Sequence, residues 1–323
     1  MSPGALWPNN LTKVIPLSTI VKMKSHRDYN AAKSGDIDAA YRLTNDILNG
    51  KKQRQKIEEF GLVYPTAILV GVHAVEAMGK NKIPESLAQM IGIMANLNVD
   101  EDIVQSVKVV RTGSDSVYRL AYRPKFTGKV QPGNQYILVD DVVTGGGTFG
   151  ELRYYIECQG GKVVDMVCMA ASKFSTNIVL TEKTQLSLEN NYDIVQLSNF
   201  LKEFDIYGGN YRYLTESEGR TLLRIGGLDK AREKIIETKR IGIKRLENAF
   251  DGHMGQTFEL RSQKENGQII ISKQECEDKN TLTKSTSIVH SLNYYTTEIR
   301  NEQRINKKED HTILHRKKNQ HEY

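Results

Sequence analysis

The sequence predicts an α/β protein built on a doubly wound parallel sheet, followed by a helical and polar C-terminal extension. Three short apolar runs, at residues 66–72, 136–139 and 162–171, have the length and β-branched content of buried strands. Helical patterns separate these runs. Alternation of strands and helices is typical of parallel sheets, which bind ligands at the carboxyl ends of their strands.

Bulk composition limits the classes of protein that this chain fits. Its 323 residues are enough for one large or two modest domains, and the hydrophobic fraction of 39% indicates a polar segment outside any core. The three cysteines, Cys158, Cys168 and Cys276, lie too far apart for a disulfide framework or a zinc pattern. With no membrane-length apolar run and no signal-peptide pattern at the start, we expect a cytoplasmic protein with reduced thiols and no membrane partner.

The N-terminal region predicts an arm followed by packing helices. Residues 1–24 combine three prolines with short apolar pieces, which is typical of an extended arm. A short helix is predicted over Asp28–Lys33 with Gly35 as its C-terminal stop, and a second helix over Ile37–Leu48 with Asp36 as its N-cap. We expect both helices to pack against the core and to take no part in chemistry.

The middle of the chain predicts further elements around a polar segment. A helix is expected over Glu85–Leu97 after the first strand, and a second strand at Val107–Val110. Residues 111–128 are polar and lack strong periodicity, which within a compact domain is typical of a lid over a site. A solvated connector without a function fits the same residues.

The stretch from Gln135 to Gly150 carries the strongest chemical signal. Its strand is predicted to end at two adjacent acids, Asp140 and Asp141, and a loop of two threonines and three glycines leads into a predicted helix over 151–159. Glycines let backbone N–H groups approach an anion, and the helix N-terminus adds a positive dipole. Because the acids would repel phosphate, they require another partner, such as vicinal ribose hydroxyls or the water shell of Mg²⁺. The pattern therefore predicts a site for a phosphorylated sugar, with an ordinary solvated turn as the alternative.

Residues 137–148 resemble the motif by which type I phosphoribosyltransferases bind 5-phosphoribosyl-1-pyrophosphate (PRPP). The resemblance implies that Asp140 and Asp141 hold the ribose hydroxyls and count among the catalytic residues. Gly145 stands where that family usually has a second threonine. The resemblance assigns the 5′-phosphate to the loop residues Val143, Thr144, Gly145, Gly146, Gly147 and Thr148.

The same resemblance places pyrophosphate against the segment after the first strand. Val72, His73 and Ala74 match the pyrophosphate loop by position, with Lys80 and Lys82 as basic partners. This segment looks like the basic, glycine-containing loop of competence-associated ComF-type proteins. An ordinary hydrogen-bonded loop histidine is the alternative for His73.

The resemblance also implies a reaction. A 5-phosphoribosyl group would pass from PRPP to a nitrogen acceptor, such as a nucleobase, with release of pyrophosphate. Arg119 and Arg123, in the predicted lid, would neutralise the departing pyrophosphate as further catalytic residues. Mg²⁺ would be held mainly through PRPP, with no metal site made by the protein itself. The resemblance also allows a homodimer.

Domain organisation follows from these assignments. The type I phosphoribosyltransferase-like domain is expected over residues 25–215, with a small hood drawn from 1–24 and 172–210. Residues 216–249 are predicted as a helical extension opened by a capping box at Thr215 and Glu218, and 250–323 as a polar, basic, partly disordered tail.

Two alternatives to an enzyme remain open from the sequence. Residues 230–323 carry 19 Lys and Arg against 14 Asp and Glu, and so most of the net charge of +6. Such a segment fits a solvated tail better than a nucleic-acid contact, although both fit. The chain could therefore be a non-catalytic PRPP- or nucleotide-sensing regulator, or a ComF-like protein associated with DNA uptake.

Overall fold

The computed structural model describes most of the chain. Its described residues are 13–73, 75–76, 79–106, 115–172, 176–254, 262–265 and 268–271, and side chains are described within 13–73, 81–106, 115–172 and 176–241. The chain divides into two compact units, residues 1–231 and 232–323, and each is taken by itself below.

The first unit alternates helices and strands. Its described strands are β1 (Ile15–Ser18), β2 (Ile68–Gly71), β3 (Val75–Glu76), β4 (Gly79–Lys80), β5 (Asn98–Asp100), β6 (Val104–Gln105), β7 (Phe126–Thr127), β8 (Gln135–Val143) and β9 (Lys162–Ala171). Its helices are α1 (Ile20–Lys24), α2 (Tyr29–Ser34), α3 (Ile37–Leu48), α4 (Lys51–Val63), α5 (Ile83–Ala95), α6 (Ser116–Ala121), α7 (Gly147–Cys158), α8 (Glu182–Asn191), α9 (Ile194–Glu203) and α10 (Glu216–Ile225). Two 3₁₀ turns, Tyr207–Gly209 and Tyr211–Tyr213, precede α10. The last helix, α11 (Leu228–Met254), begins in this unit.

Five of these strands form one sheet, in the order β1-β9-β8-β2-β5. Every neighbouring pair in it is parallel. The central strands β2 and β8 pair with Ile68 opposite Tyr136 and Gly71 opposite Val139. The predicted parallel α/β fold is therefore confirmed.

Helices cover both faces of the sheet, as the apolar runs predict. Alternate side chains of β8 enter two different hydrophobic clusters: Ile137 and Val139 pack with residues of α3, α4 and α5, whereas Tyr136 and Leu138 pack with residues of α7. Successive side chains of a strand point to opposite faces, so an apolar run without alternation requires cover on both sides. The sheet is doubly wound for this reason.

Helix boundaries near the N-terminus follow the capping signals in the sequence. α2 ends at Gly35, whose φ of 115° suits a residue without a Cβ. α3 begins after Asp36, whose side chain accepts a hydrogen bond from the backbone N–H of Ala39 at 2.9 Å. The predicted capping box of Thr215 and Glu218 is also present at the start of α10.

The strand, loop and helix around Asp140 and Asp141 differ from the prediction at both ends of the loop. β8 continues through both acids to Val143, because β9 pairs with it as far as Ala171. α7 begins at Gly147, four residues earlier than predicted. The loop between strand and helix is consequently only three residues long, from Thr144 to Gly146.

The described part of the N-terminal segment belongs to the sheet and is not a separate arm. β1 lies at the sheet edge and runs parallel to β9, with Ile15 opposite Val167. The first twelve residues lie outside the described part of the chain. Since β1 and β9 are hydrogen-bonded neighbours, the sheet begins about ten residues before the predicted domain start at residue 25.

The segment between α5 and β8 differs from its prediction most. β5, which pairs with β2, was not predicted, and the predicted strand Val107–Val110 lies outside the described residues. The predicted lid contains helix α6 and the two-residue strand β7, which pairs with β6. Residues 115–128 are therefore partly ordered into secondary structure.

The second unit is described only in part. It contains most of α11 and an antiparallel hairpin of β10 (Ser262–Glu265) and β11 (Gln268–Ile271). Most of the predicted polar tail, 250–323, lies outside the described residues. Of the helices that the structure describes, none combines the length and hydropathy needed to span a bilayer.

Candidate functional site

A cleft of about 290 Å³ opens at the carboxyl ends of β2 and β8. These neighbouring strands are the point at which the chain changes direction, because α5 leads from β2 outward to β5 while α7 leads from β8 to β9 on the other side. Ligands of open α/β sheets bind at such switch points. The cleft wall includes the acids Asp140 and Asp141, the loop and helix residues Thr144, Gly145, Gly146, Gly147 and Thr148, and the cations Lys24, Lys33 and Arg119.

The loop after β8 leads directly into a helix N-terminus on the cleft wall. Gly146 has a φ of 76°, and a Cβ there would lie 2.7 Å from the Cγ2 atom of Ile178, so only glycine fits. α7 begins at the next residue, and the N–H groups of its first turn lack acceptors within the helix. Their positions and the helix dipole together favour an anion at this end of the cleft.

Asp141 is held by three hydrogen bonds. Its Oδ2 atom accepts from the Lys33 Nζ atom at 2.7 Å and from the Asn81 Nδ2 atom at 2.9 Å, and its Oδ1 atom accepts from the backbone N–H of Val142 at 2.7 Å. Asn81 is itself fixed, because its Oδ1 atom accepts from the backbone N–H of Ile83 at 3.2 Å. The carboxylate therefore has a defined orientation.

The two neighbouring acids have different electrostatic environments. Burial, and then the negative charge of Asp141, raise the pKa of Asp140 well above its usual value. Burial also raises the pKa of Asp141, but the charge and hydrogen bond of Lys33 and the hydrogen bond of Asn81 outweigh it, so this pKa lies below its usual value. The pair thus favours one negative charge, located on Asp141.

Replacing Lys33 tests this electrostatic arrangement. We expect Lys33→Met, which keeps the aliphatic stem, to lower the free energy of unfolding by about 1.5–3 kcal/mol at pH 7, the usual loss for a hydrogen bond to a charged group. A lowered carboxyl pKa stabilises the fold above the unfolded-state value, and this stability disappears as the pH falls through the folded-state pKa. The difference from the parent protein should consequently shrink in acid.

Urea unfolding at pH 7 and at about pH 2.5, below the usual pKa of an aspartate, measures both quantities. Lys22→Met is the matched control, since Lys22 is an exposed lysine on α1 that does not line the cleft. An equal loss of stability at the two pH values would contradict the pairing of Lys33 with an ionised Asp141.

The structure separates the two arginines of the predicted lid. Arg119, on α6, lines the cleft, and its Nη1 atom donates a hydrogen bond to the Oγ1 atom of Thr144 at 2.6 Å. Arg123 is buried, with ion pairs to Glu151 and Glu218, and its guanidinium lies 4.3 Å from the centre of the Tyr207 ring. Arg119 therefore reaches the glycine loop, whereas Arg123 joins structural elements behind the cleft wall.

The residues assigned to pyrophosphate are only partly brought to the cleft. Val72 lines it, but His73 is not among the lining residues, and the His73 Nε2 atom lies 3.8 Å from the Glu85 Oε2 atom. Ala74 lies outside the described residues, and only the backbone of Lys80, in β4, is described. The assignment of these residues to pyrophosphate stays a prediction.

Several wall residues were not found from the sequence. Lys33 belongs to a helix predicted to serve only packing, and Asn81 lies between the two lysines of the predicted pyrophosphate segment without a predicted role, although both contact Asp141. The capping box correctly placed the start of α10 but gave no sign that Ser217 and Thr221 line the cleft. Only the regular spacing of polar residues along one face of α10 was available as a signal.

The cleft residues fit a cation that arrives with its ligand. Within the described part of the chain, no three His, Cys, Asp or Glu residues are close enough together to hold a metal ion by themselves. Asp140 and Asp141 supply carboxylate oxygens, the ligand type that Mg²⁺ prefers, but Lys33 already neutralises one of them. Such a pair suits a water-mediated contact with Mg²⁺ bound to phosphates.

Comparison with known proteins gives partial similarities. No family model matches the chain. The chain is 34% identical over 242 residues to Protein TraN of Escherichia coli. The aligned region covers 75% of this chain and 53% of that protein. It is 33% identical over 90 residues to an orotate phosphoribosyltransferase of Campylobacter lari, which covers 27% of this chain and 44% of that enzyme. The chain thus spans about half the length of these curated relatives.

Solved structures similar to this chain include phosphoribosyltransferases. The crystal structure of a purine phosphoribosyltransferase from Pyrococcus horikoshii aligns with a TM-score of 0.26 and 17% sequence identity. The alignment covers 38% of this chain and 73% of that enzyme.

Proposed function

We propose that the chain binds PRPP in the cleft and transfers its phosphoribosyl group to a nitrogen acceptor. The observation that carries this proposal is the junction of β8 and α7, where two acids, a glycine loop and a helix N-terminus line one cleft. Its polar groups match the two parts of a sugar phosphate, since anion donors lie beside hydroxyl acceptors. The local similarity to a protein named orotate phosphoribosyltransferase supports the same function.

Each part of the cleft has its own role in this proposal. The 5′-phosphate accepts hydrogen bonds from the loop and the first turn of α7, and the Thr144 hydroxyl adds a donor. Asp141, oriented by Lys33 and Asn81, accepts hydrogen bonds from the ribose hydroxyls. Asp140 would face Mg²⁺ held by the diphosphate of PRPP, and the ion would supply partial neutralisation of the diphosphate charge.

The proposed reaction needs no covalent intermediate with the protein. The nitrogen lone pair of the acceptor forms a bond to ribose C1, the bond from C1 to the pyrophosphate oxygen breaks, and pyrophosphate leaves with the electron pair. A proton on the attacking nitrogen passes to solvent. Charge neutralisation and positioning then provide the catalysis, with the ionised Asp141 close to a ribose that becomes positively charged.

Pyrophosphate release from PRPP, Mg²⁺ and a panel of nucleobases tests the proposal. We expect turnover with at least one acceptor. Arg119→Ala should lower turnover about a hundredfold or more while weakening PRPP binding far less, because charge builds up on the leaving group mainly in the transition state. Arg212→Ala, on an exposed arginine that does not line the cleft, is the control.

Two outcomes would count against the proposed activity. Equal losses in PRPP binding and turnover would mean that Arg119 binds PRPP in the ground state and adds nothing specific to the transition state. If the chain binds PRPP but shows no turnover with any acceptor, the transferase proposal is wrong and a PRPP-sensing module is the better interpretation.

A further inference from the structure

The cleft continues beyond the glycine loop, at the end where the 5′-phosphate is proposed to bind. A second cleft of about 310 Å³ adjoins it, and the two share wall residues at Thr144, Gly145, Ser217 and Thr221. Its outer wall includes Arg220 and Arg224. A ligand bound at the loop therefore has open, polar space beyond its phosphate.

Arg220 and Arg224 bring two positive charges to the wall of the second cleft. They lie four residues apart on α10 and so project from the same side of the helix. Among the described residues, neither arginine forms an ion pair; the Arg224 Nη2 atom donates a hydrogen bond to the Ser116 hydroxyl.

The acid that also lines this cleft, Glu216, forms no ion pair with either arginine among the described residues. The Glu216 Oε2 atom accepts from the backbone N–H of Thr181 and its Oε1 atom from the Thr184 hydroxyl, both at 2.8 Å. These hydrogen bonds tie the carboxylate to the start of α8. The two guanidinium groups are consequently available to an anion.

Gly145 keeps the passage between the two clefts open. A Cβ at this position would lie 3.4 Å from the Ser217 Oγ atom and 3.7 Å from the Arg119 Nη1 atom, which is ordinary van der Waals contact. A larger side chain would therefore fit the backbone but occupy the junction. The missing side chain leaves room for atoms of a ligand.

We propose that the second cleft binds a further anionic group joined to the 5′-phosphate, so that the site that takes PRPP also accepts ribosyl compounds with a 5′-diphosphate or a longer phosphate chain. A guanidinium group binds phosphate through paired N–H donors, and two of them at helical spacing suit adjacent phosphates. This inference rests on the proposed function, because it takes the glycine loop as the site of the first phosphate.

Calorimetry of the full-length chain with two ligands tests the inference. Ribose 5-phosphate ends at the loop, whereas ADP-ribose has the same sugar phosphate extended by a second phosphate. The parent chain should bind ADP-ribose at least about tenfold more tightly than ribose 5-phosphate, and Arg220→Gln with Arg224→Gln should abolish this ratio. Binding of ribose 5-phosphate should stay within about twofold of the parent.

Two further variants make the test specific. Lys51→Gln with Lys52→Gln removes the same charge from exposed positions on α4 that line neither cleft, so the preference for ADP-ribose should be retained. Gly145→Thr should abolish that preference by blocking the junction, even though both arginines remain.

The outcomes separate this inference from the proposed function. If ribose 5-phosphate binds and depends on Asp140 and Asp141, but ADP-ribose binds no more tightly, the second subsite is wrong and the PRPP site stands. If ADP-ribose depends on the arginines but not on the two acids, the anion subsite stands and the ribose role of the acids is wrong. No binding of either ligand would overturn both.

Discussion

Asp140→Asn combined with Asp141→Asn should weaken PRPP binding about a hundredfold. Asp141 carries the single negative charge of the pair, and each of the two ribose hydroxyl hydrogen bonds lost with that charge costs roughly 1.5–3 kcal/mol, which is about tenfold or more in affinity. Asparagine keeps the size of the side chain, so the shape of the cleft changes little. Inorganic phosphate lacks a ribose and should therefore retain its affinity for the loop from Thr144 to Thr148.

Calorimetry with PRPP and with inorganic phosphate measures the two effects separately. Asp165→Asn, on the neighbouring strand β9, is the matched control, because this part-buried aspartate does not line the cleft. If the acids only terminate a turn, phosphate and PRPP should both bind as well as before or better, since repulsion is relieved. PRPP binding at parental strength in the double variant would remove the ribose role of the acids.

Arg123→Met should lower the free energy of unfolding by about 3–5 kcal/mol at pH 7. Arg123 is buried with both of its carboxylate partners, Glu151 on α7 and Glu218 on α10, so its loss leaves two buried negative charges without a cation. In a unit of this size, such a loss corresponds to a fall in melting temperature of about 10 °C.

The matched control for Arg123 removes the charges of its partners as well. Arg123→Met with Glu151→Gln and Glu218→Gln should recover much of the stability, because neutral amides keep the side-chain volume and avoid unpaired buried charge. Thermal unfolding of the three proteins measures the difference.

The loss of stability in Arg123→Met should become smaller as the pH falls. Burial raises the pKa of Glu151 above its usual value even beside Arg123, and loss of the cation raises it further. A raised carboxyl pKa costs stability above the unfolded-state value, and the cost disappears as the pH falls below that value. The single variant should therefore approach the parent protein on acidification, and an equal deficit at pH 7 and pH 4.5 would contradict a charge effect.

The buried cluster around Arg123 connects α7 to the opposite wall of the cleft. Glu151 lies in the first turns of α7, while Glu218 lines the cleft and accepts hydrogen bonds from the Tyr207 hydroxyl at 3.0 Å and the Thr215 backbone N–H at 2.9 Å. Arg123 contacts both carboxylates and so fixes one wall relative to the other. Arg123 was predicted to act on pyrophosphate, but it is buried between these two walls. Its role is therefore better tested by measuring stability than by measuring catalysis.

Those parts of the molecule whose interactions are local could be predicted from the amino-acid sequence. The buried strands β2, β8 and β9 were recognisable because both faces of the sheet are covered, which requires continuous apolar runs. The bounds of α3 followed from the Asp36 cap and the regular spacing of apolar residues. The acids, the glycine loop and α7 are contiguous in the chain, so their grouping at one end of β8 needed no knowledge of packing.

The residues that complete the cleft from distant parts of the chain became evident from the packing of the elements. Lys33 lies 108 residues from Asp141, and Arg123 lies 95 residues from Glu218, so neither ion pair leaves any local pattern in the sequence. β1 belongs to the sheet because β9 provides a parallel edge for it, a partnership that a four-residue segment rich in turn signals does not reveal. Arg220 and Arg224 were ordinary surface arginines in the sequence, and the packing of α10 beside the glycine loop places them in the wall of one cleft with Thr144 and Gly145. Local hydrogen bonds and periodicity encode the elements, whereas charge pairing across the cleft depends on how those elements pack.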